Sequence, residues 1–195
     1  DGNKFINKAL NNGAKYIISS KANKKNKHHI IKVNNTRNFL NNFAKTKRHQ
    51  SRAKILAITG SAGKTSLKNM LYTLLKVFKK TYASPKSFNN HYGVPLSVSN
   101  LNLDHEIGVF EVGMNKAGEI NNLSKIIKPN IAIITNIAEA HIENFKNING
   151  IAKAKSELID NIEREGTIIL NRDDNFFNYL SKKAKRKNIK VVSFG

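Results

Sequence analysis

Eight consecutive residues, Thr59-Gly60-Ser61-Ala62-Gly63-Lys64-Thr65-Ser66, carry the strongest chemical signal in this chain. They follow a short apolar run, Ile55-Leu56-Ala57-Ile58, and open a stretch of helical periodicity. That is the strand–turn–helix context a phosphate-binding loop requires. Glycines let backbone N–H groups close around phosphate oxygens, and a helix N-terminus adds positive potential. Read this way, Gly60, Ser61, Ala62, Gly63, Lys64, Thr65 and Ser66 bind ATP, Lys64 reaches its terminal phosphates, and the Thr65 hydroxyl ligates Mg²⁺. The common pattern places a glycine five residues before Gly63, and Ile58 stands there instead, so the loop is a departure from the usual form. The plainer alternative is an ordinary strand–helix turn.

The other candidates are scattered. Glu111 ends an apolar strand, where a buried carboxylate needs a compensating partner. A Mg²⁺ shared with Thr65 would supply one, and a solvated strand-end glutamate is the alternative. His141 follows the strand at Ile131–Thr135; taken alone, a histidine there is more often a structural hydrogen-bonder than a ligand. Asn89 and Asn90 lie on a loop facing the phosphate site, as donors to substrate or to a metal-bound water, or simply as residues that hold a turn. Asn171 and Asp174 are candidates for adenosine contacts, with a helix N-cap at Asp173 or Asp174 as the competing reading. Lys155 is by itself a solvated lysine on a Lys-rich helix, with Lys153 on another side. His28, His29, His49, His91 and His105 receive no role.

The departure in the loop is informative, because Thr-Gly-Ser-Ala-Gly-Lys-Thr-Ser resembles the shortened phosphate loop of the Mur ligases, cytoplasmic enzymes that build the peptide stem of bacterial cell-wall precursors. Ser87-Phe88-Asn89-Asn90-His91-Tyr92-Gly93-Val94-Pro95 looks like the Asn-Asn-x-x-Gly-x-Pro segment of the branch that adds D-alanyl-D-alanine. Phe110-Glu111-Val112-Gly113-Met114-Asn115 with Gly118-Glu119-Ile120, Thr135-Asn136 through His141-Ile142-Glu143, and Ile151-Ala152-Lys153-Ala154-Lys155-Ser156-Glu157 are similar to further segments of that branch, in order. Leu170-Asn171-Arg172-Asp173-Asp174 resembles its Asn-Ala-Asp turn, with Arg172 in place of the usual alanine.

The resemblance implies an ATP- and Mg²⁺-dependent amide ligase whose partners are UDP-N-acetylmuramoyl-tripeptide and D-alanyl-D-alanine. It implies catalytic roles for Lys64, Lys155 and His141, with His141 on a second Mg²⁺ and a carbamylated Lys155 beside it. It also implies a cytoplasmic monomer without membrane contact. The sequence by itself leaves Lys155 between that modification and a solvated ammonium.

Elements able to position these residues begin with a helix at 3–12, strands at 16–19 and 29–33 flanking a Lys/Asn-rich loop at 21–28, and a helix at 36–50. From Lys54 strands and helices alternate, which argues for an α/β domain with a largely parallel sheet. The helix after the phosphate loop is expected to turn Leu67, Met70, Leu71, Leu74 and Leu75 inward. Strands are expected at 108–112, 131–135, 167–170 and 190–193, and helices at 118–127, 148–163 and 174–186. Ligands in such sheets sit at the carboxyl ends of strands, where every motif above falls. The expected organisation is residues 1–50 as the end of a UDP-sugar-binding domain and 51–195 as an incomplete central ATP-binding domain. A third domain, for the incoming amino acid, is expected to be absent from these residues. The chain by itself is accordingly expected to bind nucleotide poorly and not to ligate.

Composition narrows the classes. The chain has no cysteine, excluding disulfides and thiolate metal sites, and no 18-residue apolar run. Its net charge of +21 raises the question of nucleic acid. Yet lysine is spread over the whole length, and the densest runs, 21–27 and 182–187, hold no aromatic residue to stack on bases. A nucleic-acid-binding module is the weaker reading.

Overall fold

The structure is a computed structural model and describes residues 2–21, 27–140 and 142–195. The chain divides into two compact units between Phe43 and Ala44. In the first, helix α1 (Ile6–Asn11) precedes two short parallel strands, β1 (Ile17–Ser19) and β2 (Ile30–Lys32). The expected loop between them falls mostly outside the described residues. Helix α2 (Thr36–Gln50) runs across the division, with the bounds that the sequence pattern gave it.

The second unit is a six-stranded sheet in the order β4-β5-β3-β6-β7-β8, parallel at every pairing. The strands are β3 (Lys54–Thr59), β4 (Thr81–Ala83), β5 (Ile107–Glu111), β6 (Ile131–Ile134), β7 (Thr167–Asn171) and β8 (Lys190–Phe194). Between them lie α3 (Lys64–Leu75), α4 (Gly93–Ser99), α5 (Glu119–Ile127), α6 (Ile148–Lys155) and α7 (Phe177–Arg186). Parallel neighbours need crossover connections, and the helices supply them.

Strand β3 shows why the sheet is covered on both faces. Ile55 and Ala57 join the larger core cluster, with Val94, Phe110 and Ile120, while Leu56 and Ile58 join a second one with Val109 and Ile133. Alternation with apolar residues on both sides is the pattern of a doubly covered parallel strand. The chain leaves β3 for β4 and β5 on one side and then crosses to β6 on the other. That reversal opens a crevice at the carboxyl end of β3.

Three expectations need correction. Leu67, Leu71 and Leu75 do pack on the sheet, but Met70 and Leu74 are 69% and 58% exposed. Position 68, a lysine, takes the buried place on that helix. Strand β4 and helix α4 were not expected at all. Helix α4 opens with glycine and carries Pro95 in its first turn, where a missing N–H costs nothing, so its signals read as a loop. The helix expected at 148–163 ends at Lys155 and continues as a 3-10 helix over Ser156–Asn161. No helix among the described residues is long and apolar enough to cross a membrane.

Candidate active site

Strand β3 is buried from Ile55 to Thr59 and delivers its carboxyl end into the crevice, so residues 60–63 must turn sharply to start α3. Gly60 takes φ 152°, and a Cβ there would lie 1.8 Å from Thr135 Oγ1. No larger residue fits. Thr135, just past β6, donates to the Ala62 carbonyl at 2.6 Å. Asn136 accepts through Oδ1 from the N–H groups of Ser61 and Ala62 at 3.1 and 2.9 Å. The turn is thus built before any ligand arrives. Gly63 is the N-cap of α3, and no side chain caps the helix. The first N–H groups of α3 have no acceptor within the helix, which leaves an anion-binding end.

Opposite that end, β5 finishes at Glu111, 1% exposed. Thr65 donates its hydroxyl to Glu111 Oε2 at 2.7 Å, and Asn89 Nδ2 donates to Oε1 at 2.7 Å. The solvated alternative for Glu111 is therefore wrong. Asn89 can lie there because residue 113 is glycine: a Cβ at 113 would come within 2.9 Å of the Asn89 side chain. Two hard oxygen donors, one hydroxyl and one carboxylate, suit a Mg²⁺ that keeps most of its shell as phosphate and water. Among the described residues no group of three His, Asp or Glu side chains could cage a metal alone. His141 lies outside the described residues.

A cavity of about 350 Å³ opens beside this cluster, lined by Gly60, Lys64, Asn89, Asn90, Glu119 and Lys155 among others. Lys64 Nζ donates to the Gly60 carbonyl at 2.8 Å; burial lowers its pKa, and Glu111 partly offsets this. Lys155 is 3% exposed at the end of α6, while Lys153 is exposed. It is not the solvated lysine that its Lys-rich surroundings suggest. Burial, and then the nearby Lys64 charge, push the Lys155 ammonium down to about 8. An amine so poised is substantially neutral near pH 8 and open to CO₂; as an ammonium it could hold no metal.

The remaining candidates are occupied in structural contacts. Asn90 Oδ1 accepts from the N–H groups of Tyr92 and Gly93, holding the turn into α4. Asn171 Oδ1 accepts from the Asp173 N–H at 3.0 Å. Asp174 accepts from the Phe176 N–H through Oδ1 and from the Ile137 N–H through Oδ2, tying the loop after β7 to the loop after β6. Neither Asp173 nor Asp174 is the N-cap of α7, which is Phe176. Ser66 is exposed on the first turn of α3. Sequence reasoning missed three contributors. Thr135 and Asn136 brace the loop, and Glu157 accepts from the Gly118 and Asn121 N–H groups at 2.7 and 3.0 Å, anchoring α5 beside the cavity. The only signal for them was their place inside the quoted segments, after β6 for Thr135 and Asn136 and just past α6 for Glu157.

A crevice at the topological switch point, a glycine-bearing turn running into a helix, a half-buried Lys64 and a Thr65–Glu111 pair define a phosphate-loop α/β domain. The chain belongs to the Mur ligase family: the model of the Mur ligase middle domain matches residues 58–195. Over its whole length the chain is 42% identical to the UDP-N-acetylmuramoyl-tripeptide–D-alanyl-D-alanine ligase of Rickettsia prowazekii and spans 44% of that relative. It superimposes on MurF from Acinetobacter baumannii with a TM-score of 0.89 at 33% identity, covering all of this chain and 43% of that one. MurF from Thermotoga maritima, solved in complex with ADP, gives 0.85 at 32% identity, again over the whole of this chain and 44% of the other. The chain thus spans less than half the length of these relatives.

Proposed function

We propose that this chain is the nucleotide-binding part of an ATP-dependent ligase that joins D-alanyl-D-alanine to UDP-N-acetylmuramoyl-tripeptide in the cytoplasm. The observation that carries this reading is the meeting of Thr65, Glu111 and Asn89, from three separate segments, beside a cavity lined by Lys64, Asn89 and Lys155. The name of the Rickettsia relative, at 42% identity, supplies the substrates. Residues 1–50 are read as the end of a UDP-sugar-binding domain; the Rickettsia relative matches there too.

In the reaction a substrate carboxylate oxygen attacks the γ-phosphorus of ATP, the bond to the β-phosphate oxygen breaks, and an acyl phosphate and ADP form. The dipeptide amine then attacks the acyl carbon; phosphate leaves and the amine proton is lost. No side-chain nucleophile is needed, so the protein works by positioning and charge neutralisation. The loop N–H groups and Lys64 hold the phosphates; Thr65 and Glu111 would hold Mg²⁺, which supplies charge compensation for the transferring group. Carbamylated, Lys155 would bring a second carboxylate to the cavity, with His141 as its proposed companion on a second Mg²⁺. Asn89 keeps Glu111 oriented. Asn171 and Asp174 stand at the carboxyl end of β7, on the side where the adenosine is placed by this reading.

The test is phosphate release by the full-length protein. Release should require ATP, Mg²⁺, the UDP-linked tripeptide and D-alanyl-D-alanine together. Release that needs a different amino acid instead would assign another acceptor; release with no acceptor at all would contradict the ligase.

A further inference from the structure

Lys68 is a buried charge that the reaction above leaves unused. It lies one turn beyond Lys64 on α3 and is 1% exposed, although a leucine or methionine would fill such a place without desolvating an ammonium. Its ammonium makes no ion pair with an acid among the described residues. It donates to the backbone carbonyl of Lys86, and it senses the negative charge of Glu111. Lys86 itself holds φ 47°, a conformation that L-residues rarely adopt unless the surroundings enforce it, and its side chain is exposed.

The segment from Ser84 to Asn90 reaches both members of the Thr65–Glu111 pair. Ser84 Oγ accepts from the Glu111 N–H at 3.4 Å, Ser87 Oγ lies 3.4 Å from Thr65 Oγ1, and Asn89 donates to Glu111. Its far end is fixed by the Gly113 N–H bond to the Asn89 carbonyl at 2.8 Å. Between these anchors the loop meets α3 through Lys68.

We infer that Lys68 is a positioning residue: by gripping the Lys86 carbonyl it clamps the 84–90 loop onto α3, and so sets Ser87 against Thr65 and Asn89 against Glu111. This rests on the nucleotide reading above. The loop is then a support for the oxygen donors rather than a passive connection.

The experiment titrates ADP into the full-length protein at a series of Mg²⁺ concentrations, in wild type, Lys68→Met, Lys86→Pro, the double variant and Lys86→Ala. Lys68→Met removes donor and charge at similar length. Proline, with φ fixed near about −65°, cannot hold the Lys86 geometry, so it breaks the same grip from the other side. Either variant should raise the Mg²⁺ concentration for half-maximal ADP binding about tenfold, the scale of one lost hydrogen bond to a charged group. The double variant should be no worse than the worse single one, because both remove one contact. Lys86→Ala should behave as wild type. A role confined to helix stability would lower the melting temperature of Lys68→Met and leave its Mg²⁺ dependence unchanged, which overturns the inference, as would additive effects. Should Lys68→Met not fold, Lys86→Pro decides alone. Wild-type protein that binds ADP equally at every Mg²⁺ concentration also overturns the inference, whereas wild-type protein that binds no ADP at all defeats the nucleotide reading itself, a separate failure.

Discussion

Lys155 and Gly60 show what single residues contribute and how each can be tested. The Lys155 ammonium sits at about 8 against an ordinary 10.5, so between those values the unfolded chain holds the extra proton. Stability therefore rises with pH across that window, and below pH 8 the buried charge costs its full amount, of order 3 kcal/mol. In bicarbonate-free buffer Lys155→Met should melt higher than wild type at pH 7, with the gap closing by pH 10; a gap independent of pH would argue against a buried charge. With labelled bicarbonate at pH 8, wild type should gain one carbamate carbon by NMR and Lys155→Met none. Gly60→Ala drives a methyl into Thr135 Oγ1 and strains φ as well. It should cost about 1–3 kcal/mol by denaturant unfolding and abolish nucleotide binding. The loop residues were legible because glycine, lysine and threonine at that spacing leave few other uses. Thr135, Asn136 and Lys68 were not, since their types are common and only their three-dimensional neighbours give them work.

Among the elements, α3 separates local pattern from tertiary context. Five apolar residues suggested a wide inner face, but the helix rests on the sheet along one narrow stripe, with Leu67, Leu71 and Leu75 against Leu56 and Ile58. Met70 and Leu74 were lost to that stripe's width and Lys68 gained by the approach of the 84–90 loop, neither of which a helical period encodes. Leu71→Ala should destabilise by about 1–3 kcal/mol, less than a full core deletion because Leu71 is half-buried, while Leu74→Ala should stay within about 0.5 kcal/mol. Paired chemical-denaturation curves settle this. Comparable losses at both positions would mean the outer face of α3 is also covered. Strands β3, β5, β6, β7 and β8 were each legible to within two residues, as apolar runs between turn signals. Three-residue β4 offered too little pattern.

At the scale of the whole molecule, strand order does what no motif could: placing β3 between β5 and β6 brings loops 59 to 155 residues into the chain to one crevice. The alternation of strands and helices gave the parallel sheet, but not which strand stands at its centre, because order depends on long-range pairing. The charge of +21 is a property of the same scale. It should make ADP affinity fall with ionic strength, through the field rather than through added contacts. The central claim is that Lys64, Thr65 and Glu111 form one Mg²⁺–nucleotide site. Calorimetric titration of a non-hydrolysable ATP analogue into the full-length protein, with and without Mg²⁺, tests it in wild type and Glu111→Gln. The account expects tight binding in wild type only with Mg²⁺, and a Glu111→Gln variant whose affinity no longer responds to the cation. Equal affinity in all four titrations would contradict it.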